Sequence, residues 1–135
     1  NSKGFIKLKK PKDIKKVILC SGKVYFDLIE AREKLKRDDI IFFRIEQLYP
    51  FPVKSLVKEL KPYAKNAKFY WCQEEPKNMG AWFSARDYIQ WTLDNIKVNN
   101  NQISYIGRSP DASPATGYAK WHISQQEDII KKVFE

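Results

Sequence analysis

The side chains of types that do chemistry are few in this 135-residue chain: two thiols (Cys20, Cys72), one imidazole (His122), carboxylates at Glu46, Glu74 and Glu75, and cations at Lys23, Lys54 and Arg108. Paired carboxylates shift each other's pKa and serve acid–base catalysis. Glu74 and Glu75 are sequence neighbours, however, and neighbours on an extended strand point to opposite sides. With Gln73 they suit contact to a neighbouring domain or subunit, or hydrogen bonds that hold a strand-end loop. Ser21, Cys72 and His122 make no triad, because no acid is placed to orient His122, which reads as a surface or capping residue. A zinc site needs about four ligands, and two cysteines without a C-x-x-C pair plus one histidine do not supply them. Arginine suits bidentate phosphate contact. Arg108, with Lys23 and Lys54, therefore offers a docking place for a nucleotide or coenzyme phosphate, or a solvated surface. Gly22 stands alone. It belongs neither to a three-glycine dinucleotide fingerprint nor to a G-x-x-x-x-G-K-[ST] phosphate loop.

These residues fall between elements of two alternating types. Residues 16–20 (KVILC), 40–45 (IIFFRI), 67–72 (AKFYWC) and 103–106 (ISYI) are short apolar runs of the kind buried on both faces of a sheet. Residues 23–37 carry Val24, Leu28, Ala31 and Leu35 at helical spacing, with Ser21 placed to cap the start. A second helix opens at Pro52, where a missing amide proton costs nothing, and ends near Pro62. Residues 80–96 put Trp82, Ala85, Ile89 and Leu93 on one stripe, and residues 122–134 form a last helix with Ile123, Ile129, Ile130 and Val133 inward. Strand–helix alternation of this kind implies parallel strands joined by right-handed crossovers. The fold class expected is α/β: an open, mostly parallel four- to five-stranded sheet with helices on both faces, a fifth strand being available within 104–121. Ligands of such sheets sit beyond the carboxyl ends of the strands. Residues 1–14 read as a tail or linker from a preceding domain, and 15–135 as one domain.

Composition narrows the function classes. Apolar residues make up 43% of the chain and aromatics 14%, enough for a core. No run of 18 apolar residues suggests a membrane span, and the start shows no secretory pattern. The net charge is +9, of which residues 1–16 hold +6 through seven lysines against Asp13. A nucleic-acid binder paints one folded face with Lys and Arg. Charge gathered in a lead-in segment argues instead for no nucleic acid and no membrane. Two unpaired cysteines suggest a reducing compartment. The tryptophans, Trp82 among them, read as core and as contact to another domain or chain.

Four longer strings carry a family resemblance. Residues 19–28 (LCSGKVYFDL), 44–52 (RIEQLYPFP), 71–80 (WCQEEPKNMG, followed by Ala81-Trp82) and 105–117 (YIGRSPDASPATG) occur in the order and spacing of the C-terminal domain of 2-oxoglutarate dehydrogenase decarboxylase components. The chain resembles that family over roughly residues 16–135. The resemblance implies a transketolase C-terminal-domain-like sheet of five mostly parallel strands. It implies a full-length enzyme that decarboxylates 2-oxoglutarate and passes the succinyl group to a lipoyl arm on the succinyltransferase component. That enzyme works as a homodimer with thiamine diphosphate and magnesium, in the bacterial cytoplasm or the mitochondrial matrix. The G-D-G…N pattern of thiamine enzymes and the family's substrate histidines are absent here. Catalysis is therefore expected from upstream domains, and this stretch alone is expected to be non-catalytic. Some relatives bind AMP or acetyl-coenzyme A, and by resemblance Arg108 lies in the loop that contributes arginine there, with Arg32 and Lys54 as further candidates. Where some members carry two adjacent arginines, this chain has Gly107-Arg108. A stand-alone nucleotide- or anion-binding module is the other reading of the same sheet end.

Overall fold

A computed structural model describes residues 6–46, 51–98, 102–108 and 119–135, with side chains in the last stretch from 126 onward. The elements alternate: β1 (Lys16–Cys20), α1 (Val24–Leu35), β2 (Ile40–Arg44), α2 (Val53–Leu60), β3 (Lys68–Pro76), α3 (Trp82–Asn95), β4 (Ser104–Arg108) and α4 (Ala119–Phe134). The strands form one four-stranded sheet in the order β2-β1-β3-β4. Every pairing is parallel. The fifth strand considered for 104–121 falls largely outside the described residues; among the described residues the sheet has four strands.

Each strand feeds two cores because successive side chains point to opposite faces. Val17 and Leu19 of β1 join Ile41, Phe43, Phe69 and Trp71 beneath α2 and α3. Ile18 and Cys20 join Ile40, Phe42 and Cys72 beneath α1 and α4. Continuous apolar runs are what a sheet covered on both faces requires. Each fully buried side chain of this size contributes on the order of 2–3 kcal/mol. The chain leaves β1 toward β2, then crosses back to β3 and β4 on the other side. The carboxyl ends of β1 and β3 thus flank the switch point of the sheet.

Several local expectations give way to packing. Helix α1 buries Val24, Leu28 and Arg32, four apart, while Leu35 is 55% exposed rather than inward. The Arg32 guanidinium lies over the Phe42 ring at 5.3 Å and donates from Nη1 to the Ile40 carbonyl at 3.4 Å. Ser21 does not cap α1. Lys23 holds the N-cap position without a side-chain hydrogen bond. The helix closes with Lys36 in the left-handed region (φ 51°) and the Arg37 N–H donating to the Arg32 carbonyl at 3.2 Å. Ile14 is 1% exposed within the core under α2, and the Lys9 N–H donates to the Asp38 carbonyl at 2.9 Å.

Helix α4 starts three residues earlier than expected, and its carboxyl end is held by cations. Lys16 Nζ donates to the carbonyls of Val133 (3.0 Å) and Glu135 (2.8 Å), and Arg37 Nη1 to that of Phe134 (2.8 Å). Positive groups there satisfy carbonyls that have no partner within the helix and meet the negative end of its dipole. Lys16 opens β1 and Arg37 precedes β2, so these bonds tie α4 to the amino-terminal edge of the sheet.

Candidate functional site

The carboxyl ends of the strands were the expected site, and the structure divides them into a sealed half and an open half. At the sealed half β3 overruns its apolar stretch. Residues 73–76, expected as a loop, continue the strand and pair with β4 through an irregularity: Gln73 opposes Gly107, and Pro76 opposes Arg108. Glu74 and Glu75 are the extra residues of this bulge, which re-aims side chains at a strand end.

Gln73 is buried and organises the turn that follows. Its Oε1 accepts from the Trp71 indole N–H (2.9 Å) and the Trp82 backbone N–H (3.1 Å). Its Nε2 donates to the carbonyls of Glu75 (3.2 Å), Pro76 (2.9 Å) and Met79 (2.8 Å). One amide thereby fixes the end of β3, the loop after it and the first residue of α3. Gly107 is required beside it, because a Cβ there would lie 2.5 Å from Tyr105 Oη and 2.7 Å from the Gln73 carbonyl oxygen. Tyr105 donates to the Arg108 carbonyl at 2.8 Å, and its ring meets Trp82 at 5.3 Å between centroids. Burial pushes the Tyr105 phenol up to about 12. It is a structural donor at neutral pH, not a base.

At the open half a cleft of about 460 Å³ lies between the end of β2, the first turn of α1 and α2, lined by Tyr25, Phe43, Arg44, Glu46, Ser55 and Glu59 among others. Arg44 is its central cation. The guanidinium lies 5.0 Å from the Phe26 ring and 6.0 Å from that of Tyr25, and Nη1 sits 3.9 Å from Glu46. Sequence reasoning passed over Arg44. The signal was the single charge that ends the apolar run Ile40–Phe43, two residues before Glu46.

The residues singled out for chemistry are not brought together. Glu46 follows β2, at the opposite edge of the sheet from the Glu74–Glu75 bulge, so no paired carboxylate forms. Among the described residues no group of three His, Cys, Asp or Glu side chains is disposed to hold a metal ion. Cys20 and Cys72 are register partners on β1 and β3, both fully buried. Burial pushes the Cys20 thiol up to about 12 despite the nearby Arg44 charge, and it raises Cys72 as well. Neither thiol is a nucleophile at neutral pH, since the thiolate is the reactive form. The His122 side chain lies outside the described residues.

The three effector candidates also lie apart. Arg108 ends β4, partly exposed, at the edge beyond β3. Lys54 is exposed on the first turn of α2, near the open cleft. Arg32 is fully buried toward the amino ends of the strands, beside Ile40, and presents no surface to a ligand. Of the contact candidates, Gln73 is consumed by its own loop, Trp82 is 7% exposed, Glu74 is partly exposed and Glu75 is exposed.

Comparison with known proteins decides what this sheet belongs to. The family model described as 2-oxoglutarate dehydrogenase C-terminal matches residues 2–134. The chain belongs to the 2-oxoglutarate dehydrogenase C-terminal family. Similar curated relatives are the 2-oxoglutarate dehydrogenase E1 components of Brucella anthropi and Brucella ovis, each 51% identical over 120 residues. The alignment covers 89% of this chain and 12% of each relative, so the chain spans about an eighth of their length. The family membership accords with the resemblance carried by the four strings. Three of those strings fall on the ends of β1, β2 and β3, and the fourth begins in β4 and runs on past the described residues.

Proposed function

We propose that this chain is the C-terminal, non-catalytic structural domain of a 2-oxoglutarate dehydrogenase E1 component. The whole enzyme decarboxylates 2-oxoglutarate and transfers the succinyl group to a lipoyl arm. The carrying observation is the family match over residues 2–134, joined to 51% identity with E1 components over 89% of the chain. Among the described residues the strand ends hold a hydrogen-bonded loop support and a cleft with one arginine and two glutamates. No observation favours the stand-alone anion-binding reading.

Thiamine diphosphate and magnesium belong in this reading to upstream domains. The homodimer partner, the lipoyl-bearing succinyltransferase and a location in the bacterial cytoplasm or the mitochondrial matrix are parts of the same proposal. For an AMP or acetyl-coenzyme A effector, Arg108 and Lys54 are the accessible cations of the three. Arg32 would have to leave the core to take part.

Two measurements test this. Release of CO2 from 2-oxoglutarate, with thiamine diphosphate and magnesium supplied, is expected from the full-length chain and not from residues 1–135. Turnover by residues 1–135 alone would overturn the proposal. Calorimetry with AMP or acetyl-coenzyme A on the full enzyme and on Arg108→Ala tests the effector reading. Equal binding by both removes Arg108 from it.

A further inference from the structure

Cys20 and Cys72 take no part in the loop support at β3–β4, yet the fold brings them together. They are register partners on the adjacent parallel strands β1 and β3, so both side chains leave the same face of the sheet. Both are free and fully buried, in the core beneath α1 and α4. Backbones of neighbouring strands lie about 4.8 Å apart, and a disulfide spans Cα separations of roughly 4.4–6.8 Å. The Cβ atoms of register partners stand about one strand spacing apart, a little beyond the roughly 3.5–4.5 Å of a relaxed bridge. A bridge here closes under strain, which makes it easy to reduce again. The Cys20 thiol donates to the Phe43 carbonyl at 3.8 Å, a weak bond that restrains it little. The core at Cys20 also adjoins the open cleft. Arg44, the central cation of that cleft, is the register partner of Cys20 on its other side. Tyr25 lines the cleft and packs against the core cluster that holds both thiols. Burial disfavours both thiolates. The Arg44 charge works against this at Cys20, whereas Cys20, Glu74 and Glu75 add to it at Cys72. Cys20 is therefore the thiol that reacts first, and Cys72 the one that resolves.

We propose that Cys20 and Cys72 form a peroxide-sensitive dithiol, reached from the Arg44 cleft and converted by oxidation to a disulfide between β1 and β3. It needs only the sheet described here, whatever reaction the whole enzyme carries out. The Cys20 thiolate attacks hydrogen peroxide. An S–O bond forms, the O–O bond breaks, and the departing hydroxide takes the proton that the thiol released and leaves as water. Cys72 then attacks the sulfenic sulfur of Cys20. The S–S bond forms, the S–O bond breaks, and hydroxide leaves with the Cys72 proton as a second water. The two sulfurs lose two electrons, and the two peroxide oxygens gain them. Burial keeps the resting pair reduced and slow to react, so the first step waits on local opening at the strand ends. Glutathione reverses the bridge by thiol–disulfide exchange and departs as its own disulfide.

Peptide mapping of the full-length chain, treated with hydrogen peroxide in the absence of denaturant and then alkylated, tests this. A peptide pair joined through Cys20 and Cys72 is expected, and it should be lost again on incubation with reduced glutathione. Arg44→Leu should slow formation of that pair about three-fold or more, because the thiolate fraction falls, and Arg44→Lys should bring the rate back. Cys72→Ala should leave Cys20 open to trapping by dimedone as a sulfenic acid. If a variant fails to fold, the wild-type peptide map still decides. Recovery of both residues as alkylated thiols, while a free-thiol peptide in the same tube is oxidised, overturns the inference. So does a bridge from either residue to a third cysteine, or a bridge that forms only in urea, where the native register is gone. Equal rates in Arg44→Leu and wild type overturn the cleft as the route.

Discussion

The two halves of the sheet's carboxyl edge solve the same problem in opposite ways. At β3–β4 the strand ends are closed by hydrogen bonds centred on Gln73. Gln73 joins Trp71, Trp82 and three loop carbonyls, and Gly107 lets Tyr105 and the β3 backbone meet. At β1–β2 the strands stay paired to their ends, and beyond β2 a cleft opens in which Arg44 rests on aromatic rings and faces Glu46 across 3.9 Å. A buried amide with every partner in place specifies one loop conformation, because any lost partner strands a polar group away from water. A partly exposed guanidinium in an open cleft specifies little and is free to meet a ligand. Position at a strand end therefore does not by itself make a site. The degree to which local hydrogen bonds are already satisfied decides it.

The glycines test this contrast most severely. In Gly107→Val the new Cβ meets Tyr105 Oη and the Gln73 carbonyl, and backbone on one side cannot yield. We expect a loss of roughly 3 kcal/mol or more in urea denaturation, in the range of overpacked cores. Gly22, at the open half, has φ +77°, but a Cβ added there would meet nothing within 4 Å. Gly22→Ala should cost only about 1 kcal/mol, the conformational part alone. Equal losses at the two glycines would erase the distinction between the two ends.

A polar pair gives the next largest effect. Gln73→Leu keeps similar volume but strands two donors and three acceptors, and about 2–4 kcal/mol should be lost. Arg44→Leu should cost less than about 1 kcal/mol, since a partly exposed arginine gains little from its ion pair or ring contacts. Denaturation midpoints of the two variants measure the difference. A larger loss at Arg44 would mean that the cleft is a structural element.

The smallest expected effect lies at the amino-terminal edge. Burial alone would raise the Asp39 carboxyl, but the Arg37 hydrogen bonds and charge, with Lys15 beyond, hold it below its ordinary 3.8. A carboxyl depressed by folding adds stability above its unfolded value and loses that stability as the pH falls through the folded value. Asp39→Asn should therefore lower stability at pH 7 by no more than about 1 kcal/mol, given the partial exposure of Arg37. The difference from wild type should vanish below the folded pKa. A difference that persists at pH 2 would make the aspartate's contribution one of packing rather than charge.

Much of the fold was legible because apolar runs and helical stripes are local signals. The bounds expected for β1 match those observed, β2 ends one residue early, and α3 is shorter by two residues at its start and one at its end. Two of the three misses share one cause. Gln73-Glu74-Glu75-Pro76 has the composition of a loop, yet it pairs with β4 because a bulge absorbs the two glutamates. Leu35 fits the apolar stripe of α1, yet Arg32 takes the buried place because Phe42 and the Ile40 carbonyl receive its guanidinium. Ser21 has the right type for a cap but lies outside the helix start set by Gly22 and Lys23. At the bulge and at Arg32 the deciding partner belongs to another element.

Residue order alone was enough to determine that four strand–helix units alternate, that both faces of the sheet are covered, and which family the strings at the strand ends resemble. Hydrophobic periodicity and turn residues act within a few positions of themselves, which is why they can be read without coordinates. Tertiary structure alone decided that Gln73 is a scaffold, that Arg32 is core, that Arg44 faces a cleft and that Cys20 pairs in register with Cys72. Burial and hydrogen-bond satisfaction are properties of where distant segments meet, and no local pattern carries them.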